Sequence, residues 1–142
     1  MSQENVDTIR QMIERANSAG WDAELLVSNW VHPEARVYPA ADFPGPDLYV
    51  GREEITAFVQ EWTSTFDDLS WKVEQLIDLG DQVVVLARMT GKSRTTGASV
   101  DWPFGGLFGD FRDGMFAETH YFMDQESALE AVGLSEQDAR SS

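Results

Sequence analysis

The 142-residue chain has no cysteine, only two histidines, and ten basic residues against twenty-five acidic ones. Without cysteine there is no disulfide framework, thiolate zinc site, iron–sulfur cluster or cysteine nucleophile. The formal charge of −15 repels phosphate backbones and anionic lipid surfaces, which argues against nucleic acid and membrane partners. Long hydrophobic runs are also missing. No window approaches the roughly 20 apolar residues of a membrane span, and the opening MSQENVDTIRQ lacks the basic start and apolar stretch of a signal peptide. These absences point to a cytoplasmic protein.

Aromatics are plentiful: eight Phe, five Trp and three Tyr within a 42% hydrophobic composition, enough to fill the core of one domain. Val6, Ile9, Ile13 and Ala16 recur at helical spacing and run into Gly20, which suits a helix end. Asp22 can cap a second helix carrying Leu25, Leu26 and Trp30, and Pro33 ends it. A short strand at 35–39 and a Pro/Gly-rich loop follow, and helical spacing returns at Ile55, Phe58, Val59, Trp62 and Phe66. Beyond Asp68 four β-rich runs separated by Gly80-Asp81, Gly97 and Asp113-Gly114 predict an antiparallel meander, closed by a short helix in DQESALEAVGL. Helices first and strands after predict an α+β domain over residues 1–134 in which helices cover one face of a curved sheet. Residues 135–142 form a polar tail.

Strand phase separates two faces. Val83, Val85, Ala87 and Met89 alternate with Val84, Leu86, Arg88 and Thr90, while Met115, Ala117, Thr119, Tyr121 and Met123 alternate with Phe116, Glu118, His120 and Phe122. The first set in each strand should face the helices. The second carries Leu86, Phe116 and Phe122, which predicts a homodimer through the outer sheet face.

Four stretches, Trp30-Val31-His32-Pro33-Glu34, Tyr49-Val50-Gly51-Arg52-Glu53-Glu54-Ile55, Gly80-Asp81-Gln82-Val83-Val84-Val85 and Ala128-Leu129-Glu130-Ala131-Val132-Gly133-Leu134, together resemble a SnoaL-like protein of the nuclear transport factor 2-like superfamily. The resemblance implies a cone-shaped α+β roll enclosing an apolar cavity, commonly in a homodimer. Its members include polyketide cyclases, ketosteroid isomerases and limonene epoxide hydrolases, so the fold alone selects no activity.

Spacing tests two of those enzymes. The tyrosine, base and second acid of a ketosteroid isomerase fall on Met12, Pro39 and Leu107; the arginine and two acids of a limonene epoxide hydrolase fall on Ala87, Met89 and Tyr121. Neither set can move the required protons. Four residues remain candidate bases: His120, His32, Asp42 and Asp101. A one-residue bulge would turn His120 into the cavity, whereas the apolar phase places it outside, beside Glu118 and Arg88. His32 has no metal-ligand partner pattern, and no metal or other cofactor is expected. Trp71, Trp102, Phe104, Phe108 and Phe111 read as core or as a stacking wall, and Gly105, Gly106 and Gly109 mark a bend or a close approach. The expected function is binding of a hydrophobic small molecule by Met12, Val37, Ala87, Met89, Leu107, Thr119, Tyr121 and Met123. The alternative is a polyketide-cyclase- or isomerase-like enzyme using one of the four bases.

Overall fold

A computed structural model describes residues 2–41 and 45–134; Asp42 and the tail at 135–142 lie outside the described residues. Helix α1, Ser2–Ala19, buries Val6, Ile9, Met12, Ile13 and Ala16, the stripe that the helical spacing marks. Helix α2, Ala23–Trp30, starts where the Asp22 carboxylate accepts the Leu25 N–H at 3.2 Å. The chain then passes directly into strand β1, Val31–Tyr38, longer than the expected 35–39 because pairing begins as soon as the helix stops. Strand β2, Tyr49–Val50, is a two-residue lead into helix α3, Gly51–Thr63. Gly51 has φ +84 at that junction, and the Glu54 carboxylate reaches back to accept the Val50 N–H at 2.9 Å.

Strands β3 (Phe66–Asp78), β4 (Gln82–Ser93), β5 (Ser99–Gly109) and β6 (Phe116–Phe122) form the meander, each antiparallel to the next. The six strands lie in the order β2-β1-β6-β5-β4-β3, so β1 inserts beside β6, parallel to it, with Val37 opposite Thr119. Helix α4, Gln125–Ala131, is capped by Asp124, whose carboxylate accepts the Ser127 N–H at 2.7 Å. No described helix is long and apolar enough to cross a membrane.

The sheet buries both faces unequally. On the inner face Val83, Val85, Ala87, Met89, Phe104 and Phe108 join Ile9, Ile13, Leu26, Ile55 and Phe58 of the helices in the larger core. On the outer face α4 lays Ala128 and Leu129 over Ile77, Val84, Leu86 and Leu107, making a second, smaller core. Gly105 is the contact point: a methyl group there would collide with the Ala128 side chain. The close approach read from the glycine run is therefore that of the terminal helix.

Two of the residues from which the dimer was expected are accounted for within one chain. Leu86 is covered by α4, and Phe116 faces inward, its ring edge-on to Phe108 at 4.9 Å. Phe116 departs from the alternation at the start of β6, opposite Val31, where the β1–β6 pairing is irregular up to Arg36. Phe122 packs partly against the second core.

Candidate functional site

Between the helices and the concave face of the sheet lies a cavity of about 590 Å³. Its floor comes from Val31, Val37, Met89, Phe104 and Tyr121, its roof from Met12, Ile13, Leu26, Ile55 and Phe58. Alternation alone aims these strand residues inward, since one face of a curved sheet gathers every second side chain toward a common centre. Exposed Pro46, Glu61, Thr65 and Met123 also line it and form its mouth.

The wall is strongly aromatic. Trp71 is the hub: its ring lies 4.8 Å from Trp21, 4.7 Å from Phe104, 6.1 Å from Trp62 and 6.3 Å from Tyr121. Nearer the mouth Phe66 sits 5.8 Å from Trp102 and 6.4 Å from Trp62, and Tyr49 meets Phe58 at 4.6 Å with the rings tilted by 35°. Hydrogen bonds hold the hub in place. Trp21 donates its indole N–H to the Leu69 carbonyl at 3.0 Å, and the Asn17 side chain engages both backbone groups of Trp71. The Trp71 indole N–H is buried and makes no hydrogen bond to a described residue, in a ring flanked by Trp21 and Phe104.

Polar groups are sparse. Among described lining residues the ionisable ones are Glu61, Tyr49 and Tyr121. Burial pushes the Tyr121 phenol well above its usual value, and burial together with the Glu61 charge does the same, less strongly, to Tyr49. Both phenols therefore stay protonated at neutral pH and can donate a hydrogen bond.

Of the residues expected at the cavity, Met12, Val37, Met89, Tyr121 and Met123 line it. Ala87 and Thr119 face inward but are fully buried in the packed core beside it. The Leu107 placement is corrected: the inward positions of β5 are Trp102, Phe104, Gly106 and Phe108, whereas Leu107 pairs with Val84 and His120 on the outer face under α4. The chemical inference for the second acid of an isomerase is unaffected, since Gly106 and Phe108 on either side are no more able to donate a proton.

The described candidate bases lie away from the cavity. His120 stacks on Tyr38 of the outer face, with ring centroids 4.3 Å apart and planes 4° from parallel, and meets Glu118 at 3.0 Å. Asp101 pairs with Arg88 at 2.7 Å on the same face. His32 accepts the Glu34 N–H at 3.1 Å through Nδ1, close to a cluster in which Arg112 binds Asp110 through two hydrogen bonds and Glu34 through a third. The Arg112 guanidinium holds the Asp110 carboxyl below its usual range. No group of three or more potential metal ligands occurs among the described residues. Sequence reasoning missed Trp21, Trp62, Tyr49 and Glu61 as lining residues. The signal for two of them was present, because Trp62 and Glu61 follow Phe58 by four and three positions on α3.

Comparison with known proteins adds the family. The model of the SnoaL-like domain matches residues 9–119. Similar solved structures include a putative SnoaL-like polyketide cyclase from Jannaschia sp. CCS1, with 27% identity, TM-score 0.72 and 93% of each chain covered. A nuclear transport factor 2-like protein from Burkholderia pseudomallei shares 19% identity with TM-score 0.71, covering 96% of this chain and 99% of that one. A putative hydroxylase, AclR, from Streptomyces galilaeus shares 19% with TM-score 0.70, covering 94% and 87%. Among curated proteins none matches. With its α+β architecture, its curved six-stranded sheet and a family model spanning most of its length, the chain belongs to the SnoaL-like family.

Proposed function

We propose that the chain binds a predominantly apolar small molecule in the cavity between its helices and sheet. The observation that carries this reading is the cavity itself: about 590 Å³, within the range of small-molecule sites, walled by aromatic and aliphatic side chains with a few polar groups. An ordinary core closes such a volume, because packed interiors leave few voids larger than a water molecule.

A second reading, an enzyme of the polyketide-cyclase kind, is favoured by the 27% identity to the Jannaschia protein. It would have to work without His120, His32 or Asp101 at the cavity, and among described residues with Glu61 as the one carboxylate lining it.

The test is titration with N-phenyl-1-naphthylamine, an uncharged fluorescent apolar probe. Saturable binding at one probe per chain, with a melting temperature that rises with probe concentration, is the expected result. Thr65→Trp, which places a large ring at the exposed mouth, should weaken that binding at least several-fold. Equal binding by this variant would move the probe out of the cavity and remove the reading.

A further inference from the structure

We propose that the cavity selects apolar cations: methylated tertiary or quaternary ammonium groups carried on a hydrocarbon or aryl body. The inference rests on the binding reading above and narrows its ligand class. It begins with charge. Glu61 is the single charged residue among those described lining the cavity, and no Lys, Arg or His joins it. Its charge is felt at the mouth, where together with burial it raises the Tyr49 phenol. An anion would enter against that field and against a chain of −15, and among the described lining residues would find no cation to replace its water. A neutral ligand gains nothing from Glu61, whereas a cation does.

The wall supplies the second term. Trp62, Phe66 and Trp102, all partly buried, line the cavity as a run of ring contacts, Trp62 to Phe66 at 6.4 Å and Phe66 to Trp102 at 5.8 Å, and the lining residues Glu61 and Thr65 adjoin Trp62 and Phe66 along the chain. Aromatic faces attract cations through their quadrupoles, indole most strongly, and the attraction grows as water is excluded. A primary ammonium carries three N–H donors that lose water here and find few acceptors, so its desolvation is poorly offset. A methylated ammonium has few or no donors to satisfy, and its methyl groups suit the apolar lining. The charged pole then sits at Glu61, Trp62 and Trp102, with the apolar body toward Met89 and Phe104.

The experiment compares benzyltrimethylammonium with its uncharged carbon isostere, neopentylbenzene, as competitors of bound N-phenyl-1-naphthylamine. The cation is expected to displace the probe at about tenfold lower concentration. Glu61→Gln should reduce the cation's affinity by about threefold or more and leave the isostere unchanged. Glu53→Gln, an exposed acid on the same helix that does not line the cavity, should leave both unchanged. An isostere that competes as well as the cation would overturn the charge preference while the apolar cavity stands. Equal losses in the Glu61 and Glu53 variants would show that the overall acidity of the chain attracts the cation, and would overturn the role given to Glu61. If the probe itself fails to bind, the cavity reading falls and this inference falls with it.

Discussion

The Asn17 carboxamide grips the backbone of Trp71 from both sides, donating Nδ2–H to the Trp71 carbonyl at 2.8 Å and accepting the Trp71 N–H on Oδ1 at 2.9 Å. This pair joins the end of α1 to the edge strand β3, and satisfies backbone groups that an edge strand leaves open. Asn17→Ala should cost about 1–3 kcal/mol, the sum of two modest hydrogen bonds. It should also shift the tryptophan emission, because Trp71 is the hub of the aromatic wall. Urea unfolding followed by fluorescence measures both, and an unchanged midpoint would sink the idea.

Gly105→Ala should destabilise by about 1–3 kcal/mol, the usual cost of overpacking, because the new methyl collides with Ala128. The cause can be isolated by a double-mutant cycle. If Ala128→Gly removes the collision, the pair should be less destabilised than the sum of the two single changes. Strict additivity would mean that α4 does not press on Gly105.

Stability at alkaline pH carries the signature of the buried phenol. Tyr121 has a folded-state pKa above the unfolded value of about 10, so above that pH the unfolded chain releases a proton that the folded chain retains. The stability is fully present below pH 10 and falls above it, by up to about 1.4 kcal/mol per pH unit. Tyr49 adds a smaller loss of the same sign. Tyr121→Phe should flatten most of the decline in urea midpoints between pH 9 and 11. At neutral pH it should cost little, since the hydroxyl makes no hydrogen bond to a described residue.

No appreciable isomerisation of a β,γ-unsaturated ketosteroid and no hydration of limonene epoxide are expected. Met12, Pro39, Met89 and Tyr121 stand at the cavity where those reactions need acids and bases, and a missing base alone costs about a hundredfold to ten-thousandfold. Turnover of either substrate at enzyme-typical rates, lost in Glu61→Gln, would show that the mouth carboxylate has been recruited as the base.

A homodimer through the outer face was expected from Leu86, Phe116 and Phe122, and the first two are covered within one chain. The outer groups that remain at least partly exposed include the Tyr38–His120 stack, Glu118 and the Arg88–Asp101 pair. A dimer using this face would depend on salt through those charges. Sedimentation equilibrium at micromolar concentration, at low and high ionic strength, tests it; a single 15.9 kDa species in both would exclude a dimer.

Alternation made β4 legible, because a central strand with Val83, Val85, Ala87 and Met89 inward obeys one period along its length. It failed for Phe116 at the start of β6, beside the irregular stretch of β1 between Val31 and Arg36, and no local residue type reports such an irregularity. Leu107 was misplaced for a simpler reason. Placement by spacing across the β5–β6 turn carries a one-residue error, and in a strand one residue reverses the face. The apolar outer residue Leu86 reads in the sequence as a subunit contact, and within one chain α4 packs over it and Val84. That α4 of the same chain would cover it could not be inferred, since a partner's surface and the chain's own helix demand the same pattern. The spacing of Glu61 three positions after Phe58 marks it for the cavity side of α3, but a single exposed acid on a helix also reads as a solubilising charge, so its type pointed away from the site.

The insertion of β1 beside β6 also sets an order of assembly. β3, β4 and β5 pair through short turns and can zip together as they leave the ribosome, but β1 must wait for residues near Thr119 before Val37 finds its parallel partner. Contacts between such remote segments carry the largest loop-closure cost and form late. The cavity, which has Val37 on one side and Met89 on the other, is therefore completed by the last strand to be synthesised. A nascent chain halted before β6 would carry an apolar trough open along one edge, and its release from that state would register as the slowest folding step.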